Sequence, residues 1–172
     1  SAFRDCTSLT SVIIPNSVTS IADSAFNNCD SLTSITIPDS VTSIGHCTFR
    51  LCKSLTSISL PSKLESIAFG AFWGCEGLTD VVLPESVTFL SGYTFRNCKS
   101  LKTITIPAGV EKVQNNTFTG CTALTDIYYS GTLEQWYNIS SFEHENVTVH
   151  CAGIDHTHEF TEWTFVEEPT CD

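Results

Sequence analysis

The side chains best able to do chemistry in this chain are nine cysteines and five histidines. Six of the cysteines, Cys6, Cys29, Cys52, Cys75, Cys98 and Cys121, recur every 23 residues, so a regular stack sets each beside its copy. Copies about 5 Å apart would permit a disulfide by distance alone. The column also sits between a Phe and a Leu column, where a thiol serves as a small apolar group, so buried free thiols are expected. It is no zinc site, because each repeat brings one ligand and never a Cys-x-x-Cys pair. Cys47 lies off the column and reads as a lone thiol, with a bridge to Cys52 as the alternative. Cys151 and Cys171 lie in the non-repeating end, and a disulfide between them is the best pairing there. A partner downstream of this chain is the alternative for Cys171. His150, Cys151, His156, His158 and Cys171 are zinc ligands by type, and a His-x-His pair on a strand points both rings one way. Their spacing matches no standard zinc signature, so exposed tail histidines are the preferred reading, and neither metal nor cofactor is expected.

Catalytic patterns are absent from the sequence. It holds no G-x-S-x-G, no H-E-x-x-H, no phosphate loop and no Asp-rich calcium loop. Carboxylates are scattered singly, so the expectation is a non-enzymatic protein. The net charge of −11 argues against nucleic acid as a partner. That charge is unevenly placed: residues 1–133 carry all eight Lys and Arg against ten acids, while residues 134–172 carry nine acids and no base. No run approaches the roughly 18 apolar residues of a membrane span. With Ser1 first and no Met, the chain reads as a processed or excised piece. Asn115, Asn138 and Asn146 open N-x-S/T sequons, which matter only in a eukaryotic secretory setting.

The elements that position these residues follow from the period. Pro15, Pro38, Pro61, Pro84 and Pro107 are 23 apart, as are Phe3, Phe26, Phe49, Phe72, Phe95 and Phe118, and Leu9 to Leu124 likewise. Within one unit, Leu32-Thr-Ser-Ile-Thr-Ile37 alternates as a strand does, and Pro38 ends it for want of an N–H. Val41-Thr-Ser-Ile44 reads as a second, short extended piece. Phe26 and Cys29, three apart, fit a helical turn facing inward. One unit buries too few apolar side chains to offset the ordering of its residues, so the units must stack. Six coils at ~4.8 Å each would span roughly 30 Å.

The pattern Ala25-Phe26-x-x-Cys29-x-x-Leu32-x-x-Ile35-x-Ile37-Pro38-x-x-Val41-x-x-Ile44 resembles the BspA-like (Treponema-type) leucine-rich repeat over residues 2–140. The segment Asp126-Ile-Tyr-Tyr-Ser-Gly-Thr132 with Gln135-Trp136 is similar to the last repeat of such arrays. The resemblance implies a right-handed, mainly β leucine-rich-repeat solenoid on secreted or surface proteins of bacteria and some protists. It also implies adhesion to host or neighbouring-cell proteins or glycans, hence an extracellular location. On this reading residues 1–140 form about six coils without an N-terminal cap, and dimerisation through that uncapped edge is expected. Residues 141–153 close the array with one strand at Val147-Thr-Val149, read as 23 past Leu124–Ile127. Residues 154–172 begin a truncated His/Trp/Cys module, similar to segments of gut-bacterial surface proteins, or an acidic tail.

Departures from the repeat mark where binding would sit, since core packing does not require them. The strand face is mostly Ser and Thr, interrupted by Ile13, Asp80, Val82, Asp126 and Tyr128. Phe69, Trp73, Phe89 and Tyr93 stand where other units hold Asp23, Asn27, Ser20 and Ser24. All four fall on the third and fourth coils, so stacking should gather them into an exposed patch for a protein or glycan. Packing against a neighbouring loop is the alternative. A structural stalk, or an accessory region of a larger surface enzyme, are the competing functions.

Overall fold

The computed structural model describes residues 1–140 and 146–152. Two parallel strand ladders run through it, with strands labelled in chain order. One face holds β2 (Ser34–Thr36), β4 (Ser57–Ser59), β6 (Asp80–Val82), β8 (Thr103–Ile106), β10 (Asp126–Tyr129) and β11 (Thr148–Cys151). The other holds β1 (Ser20–Ile21), β3 (Ser43–Ile44), β5 (Ser66–Ile67), β7 (Phe89–Leu90) and β9 (Lys112–Val113). Partners are 23 residues apart, as in Ile35 with Ile58, Val81 with Ile104, and Ile44 with Ile67. The chain is therefore a parallel β-solenoid, and every coil repeats the last. On the first face the regular ladder breaks between β4 and β6, where the Thr79 N–H still donates to the Thr56 carbonyl at 3.3 Å.

The third side of each coil is a run of turns rather than a helical turn. The expected i→i+3 bonds are there, Ala25 to Ala22, Asn27 to Ser24 and Cys29 to Phe26. Between them Ser24 and Asn28 adopt positive φ, which a helix does not tolerate. That twist turns alternate N–H groups along the stack, so Ser24, Phe26 and Asn28 donate to His46, Thr48 and Arg50 of the next coil.

The interior is built from columns. Six Phe rings, Phe3 to Phe118, stack with centroids 5.3–6.1 Å apart and planes within 7°. The cysteine column lies beside them as free thiols, with Cys29, Cys52, Cys75, Cys98 and Cys121 buried. Each buried thiol donates to the Phe carbonyl of the preceding coil, at 3.1 Å from Cys75 Sγ to the Phe49 oxygen. That same oxygen accepts the N–H of Cys52 at 3.1 Å, so both its lone pairs are used. A small apolar side chain with one weak donor meets this site, which accounts for cysteine at every repeat. Burial pushes the Cys52 thiol up to about 12 and carries Cys75 and Cys98 well above 9.0.

The last coil departs from the pattern. Its second extended piece is replaced by helix α1 (Leu133–Ile139), which starts on a capping box between Thr132 and Gln135. Trp136, in the column of Ile21 and Val113, is buried, and its ring lies 5.5 Å from that of Tyr129. β11 pairs with β10 at an offset of 22, not 23, setting Val149 beside Ile127 and His150 beside Tyr128. A one-residue slip exchanges the faces of a strand, and this register is the one that buries Val149. At the opposite end the first coil contributes to the first face a single bridge, Ile13 to Thr36, and Ile13 is 93% exposed.

A candidate recognition surface on the third and fourth coils

The corner after each second-face strand has one left-handed residue per coil: Ser24, Cys47, Gly70, Tyr93 and Asn116. Glycine and asparagine take this conformation easily, whereas for Tyr93, at φ 61°, it costs on the order of 1 kcal/mol. The same geometry explains Cys47, which fills a corner position and is free, as is Cys52.

Three of the four aromatic departures come together here. The Tyr93 ring lies 5.0 Å from Phe69 and 5.6 Å from Trp73. Phe89 is 38% exposed on the outer face of β7, in register with Lys112. Among the described residues it makes no ring contact with the other three, because it precedes the corner they share.

The sequence reading passed over two residues that complete the surface. Arg50 and Arg96 occupy the Trp73 column one coil before and one coil after. The Arg50 guanidinium carbon is 4.8 Å from the indole centroid, and that of Arg96 is 5.3 Å from it and 4.9 Å from the Tyr93 ring. The two arginines therefore bracket Trp73 in a cation–π ladder. Both Nε atoms are buried without a hydrogen-bond partner. Lys53 and Lys99 pair with Asp30 and Glu76 at 3.1 and 2.9 Å, yet neither arginine has a carboxylate among the described residues. The legible signal was the column itself, Asn27-Arg50-Trp73-Arg96-Thr119, which the fixed period would have aligned.

A second polar group sits on β10 and β11. His150 Nε2 is 2.7 Å from Asp126 Oδ1, its ring stacks on Tyr128 at 4.6 Å, and the Thr125 hydroxyl donates to Asp126 Oδ2 at 2.7 Å. The bonds from His150 and then Thr125 hold the Asp126 carboxyl below its usual range. His150 and Cys151 are consecutive on one strand and so point to opposite faces, which keeps them from sharing one ion. Among the described residues no three His, Cys, Asp or Glu are placed to hold a metal. His156, His158 and Cys171 lie outside the described residues, and with them the Cys151–Cys171 pairing. No helix among the described residues is long and apolar enough to cross a membrane.

Solved structures share this architecture. A leucine rich cell surface protein from Faecalibacterium prausnitzii is 37% identical, covering 79% of this chain and 36% of its own, with a TM-score of 0.74. A leucine-rich repeat protein from Bacteroides ovatus is 42% identical, covering 74% of this chain and 33% of its own, with a TM-score of 0.71. The leucine rich repeat protein of T. pallidum is 30% identical, covering 69% of this chain and 58% of its own, with a TM-score of 0.67. The chain thus spans about a third of the first two proteins and somewhat more than half of the third. No curated protein matches it. The profile described as BspA type leucine rich repeat region matches in six copies, over residues 1–125 and 44–165. The repeat seen in the columns and the repeat that defines this profile are the same, and the chain belongs to the BspA-type leucine-rich-repeat family.

Proposed function

We propose that this chain is a non-catalytic recognition module of a cell-surface protein, which adheres to proteins or glycans through the face formed by Phe69, Trp73 and Tyr93. One observation carries the reading: bulky aromatics assemble across two coils at positions the core does not use, and Tyr93 stands at a left-handed corner where glycine or asparagine would cost less. The F. prausnitzii relative, described as a leucine rich cell surface protein, supports the location. A rigid spacer would need the repeat alone and gain nothing from these side chains.

The test is binding of the fluorescently labelled chain to host epithelial cells and to neighbouring bacteria, comparing the parent with Trp73→Ala and Tyr93→Asn. Asparagine suits the left-handed corner, as Asn116 shows, so the lost ring contacts and the relieved strain should leave stability within about 1 kcal/mol. Binding is expected to fall at least about tenfold in each variant, as for interface aromatics. Unchanged binding in both would favour the spacer.

A further inference from the structure

We propose that Arg50, Trp73 and Arg96 form a docking site for an acidic glycan, a chain of sugars bearing carboxylate or sulfate groups, with Phe69 and Tyr93 as its apolar flank. The proposal rests on the recognition reading above and gives it a ligand class. Guanidinium is planar and meets carboxylate or sulfate through two parallel N–H bonds. Here each guanidinium is already held in place on an indole face, so less side-chain freedom is lost on binding. Buried Nε leaves the terminal nitrogens as the groups a ligand can reach, and no carboxylate among the described residues occupies them. Arg50 and Arg96 are two coils apart, roughly 10 Å at ~4.8 Å per coil, the scale of one disaccharide step along an extended polysaccharide.

A peptide is the poorer fit. The N–H groups of this corner already bond between coils: Cys47 to Phe69, Leu51 to Trp73, Gly70 to Gly92 and Gly74 to Arg96, at 2.7–3.2 Å. An added strand would find no open edge there. A sugar chain brings its own hydroxyls to water and its ring faces to Phe69 and Tyr93. Dense polyanions such as nucleic acid are opposed by the net charge of −11, whereas sparse, regularly spaced anions engage the two arginines alone.

The test uses the whole chain and calorimetry at low salt against four probes: a keratan sulfate hexasaccharide, a hyaluronan hexasaccharide, neutral maltohexaose and hexaglutamate. The two acidic sugars are expected to bind and the neutral one not, their relative affinities separating sulfate from carboxylate preference. The double variant Arg50→Gln/Arg96→Gln should weaken binding roughly 100-fold, about tenfold per charge-assisted contact. Arg50→Lys/Arg96→Lys should recover part of it, and Trp73→Leu should weaken it by releasing both arginines. Lys63→Gln/Lys112→Gln removes the same charge elsewhere and should cost less than about threefold. Thermal melts show that each variant is folded. Failure of both acidic sugars to bind, tighter binding of hexaglutamate, or an equal loss in the lysine control would each overturn the proposal. If no sugar binds while Trp73→Ala still abolishes cell binding, the glycan inference falls and the recognition module stands.

Discussion

Raising the pH above 9 should unfold this solenoid, because its thiol column is buried only while uncharged. Burial lifts the Cys52 thiol from 9.0 to about 12 and lifts Cys75 and Cys98 well above 9.0. In the unfolded chain these thiols ionise near their ordinary 9.0. Raised folded values mean that the stabilisation is fully present below pH 9 and is withdrawn as pH climbs from there toward the folded values. In that window the folded state keeps three protons that the unfolded state releases. Each is worth about 1 kcal/mol between pH 9 and 10, while the unfolded thiol is still ionising, and about 1.4 kcal/mol per unit above that, so stability should fall by about 3 kcal/mol over the first unit and about 4 kcal/mol per unit beyond. A domain with roughly 5–15 kcal/mol in hand cannot bear that for more than about one to three units. Tyr129, whose phenol burial also raises above 10.0, adds to the slope only beyond pH 10, so the measurement belongs below that. Urea denaturation followed by tryptophan fluorescence, with reductant present and pH stepped from about 7.5 to 10, should show a flat region and then a steep decline. Cys75→Ala should flatten the decline by about 1 kcal/mol between pH 9 and 10, one proton's share. A midpoint that stays level to pH 10, or a variant slope equal to the parent's, would refute the argument.

The same column gives a second prediction at neutral pH. Cys75→Ala removes a buried sulfur and one of two donors to the Phe49 oxygen, costing about 2–3 kcal/mol, while Cys75→Ser keeps a donor and should cost about half as much. If the column were only apolar filling, serine would be the worse substitution, and chemical denaturation decides the order. At the closing end, Trp136→Ala should cost about 3–5 kcal/mol, since the ring is buried against Tyr129 on the helix that ends the second-face ladder. Hydrogen exchange should show β9 and β10 losing protection well before β3 and β5, because each coil is held by its neighbours.

Much of this molecule was legible residue by residue. A 23-residue period without insertions made Phe, Cys and Leu into columns, and strand alternation next to Pro38 placed Ile35 and Ile37 inward, where they are buried. The bracketing of Trp73 was legible too, since the 23-residue period sets Arg50 and Arg96 directly before and after it in one column. Three features were not legible. The turn segment resembled a helical turn because Phe26 and Cys29 are three apart, yet Ser24 and Asn28 there turn left-handed and alternate N–H groups bond the next coil. The last coil kept an apolar residue at Trp136 but changed its backbone to helix, since Thr132 and Gln135 cap a start that earlier coils lack. Phe89 shares coils with Tyr93 but not its corner.

What the sequence determined by itself was therefore the solenoid: periodicity alone dictates which side chains stack, because every coil is the nearest neighbour of its own copy. What only the tertiary structure decided was how neighbouring columns meet. Lateral placement depends on backbone twist at the corners, which sets Tyr93 against Phe69 and Trp73, and on register, which at the final strand shifts from 23 to 22 and brings His150 to Asp126. Such offsets of one residue or one φ angle leave hydrophobic spacing almost unchanged, yet they place the chemistry.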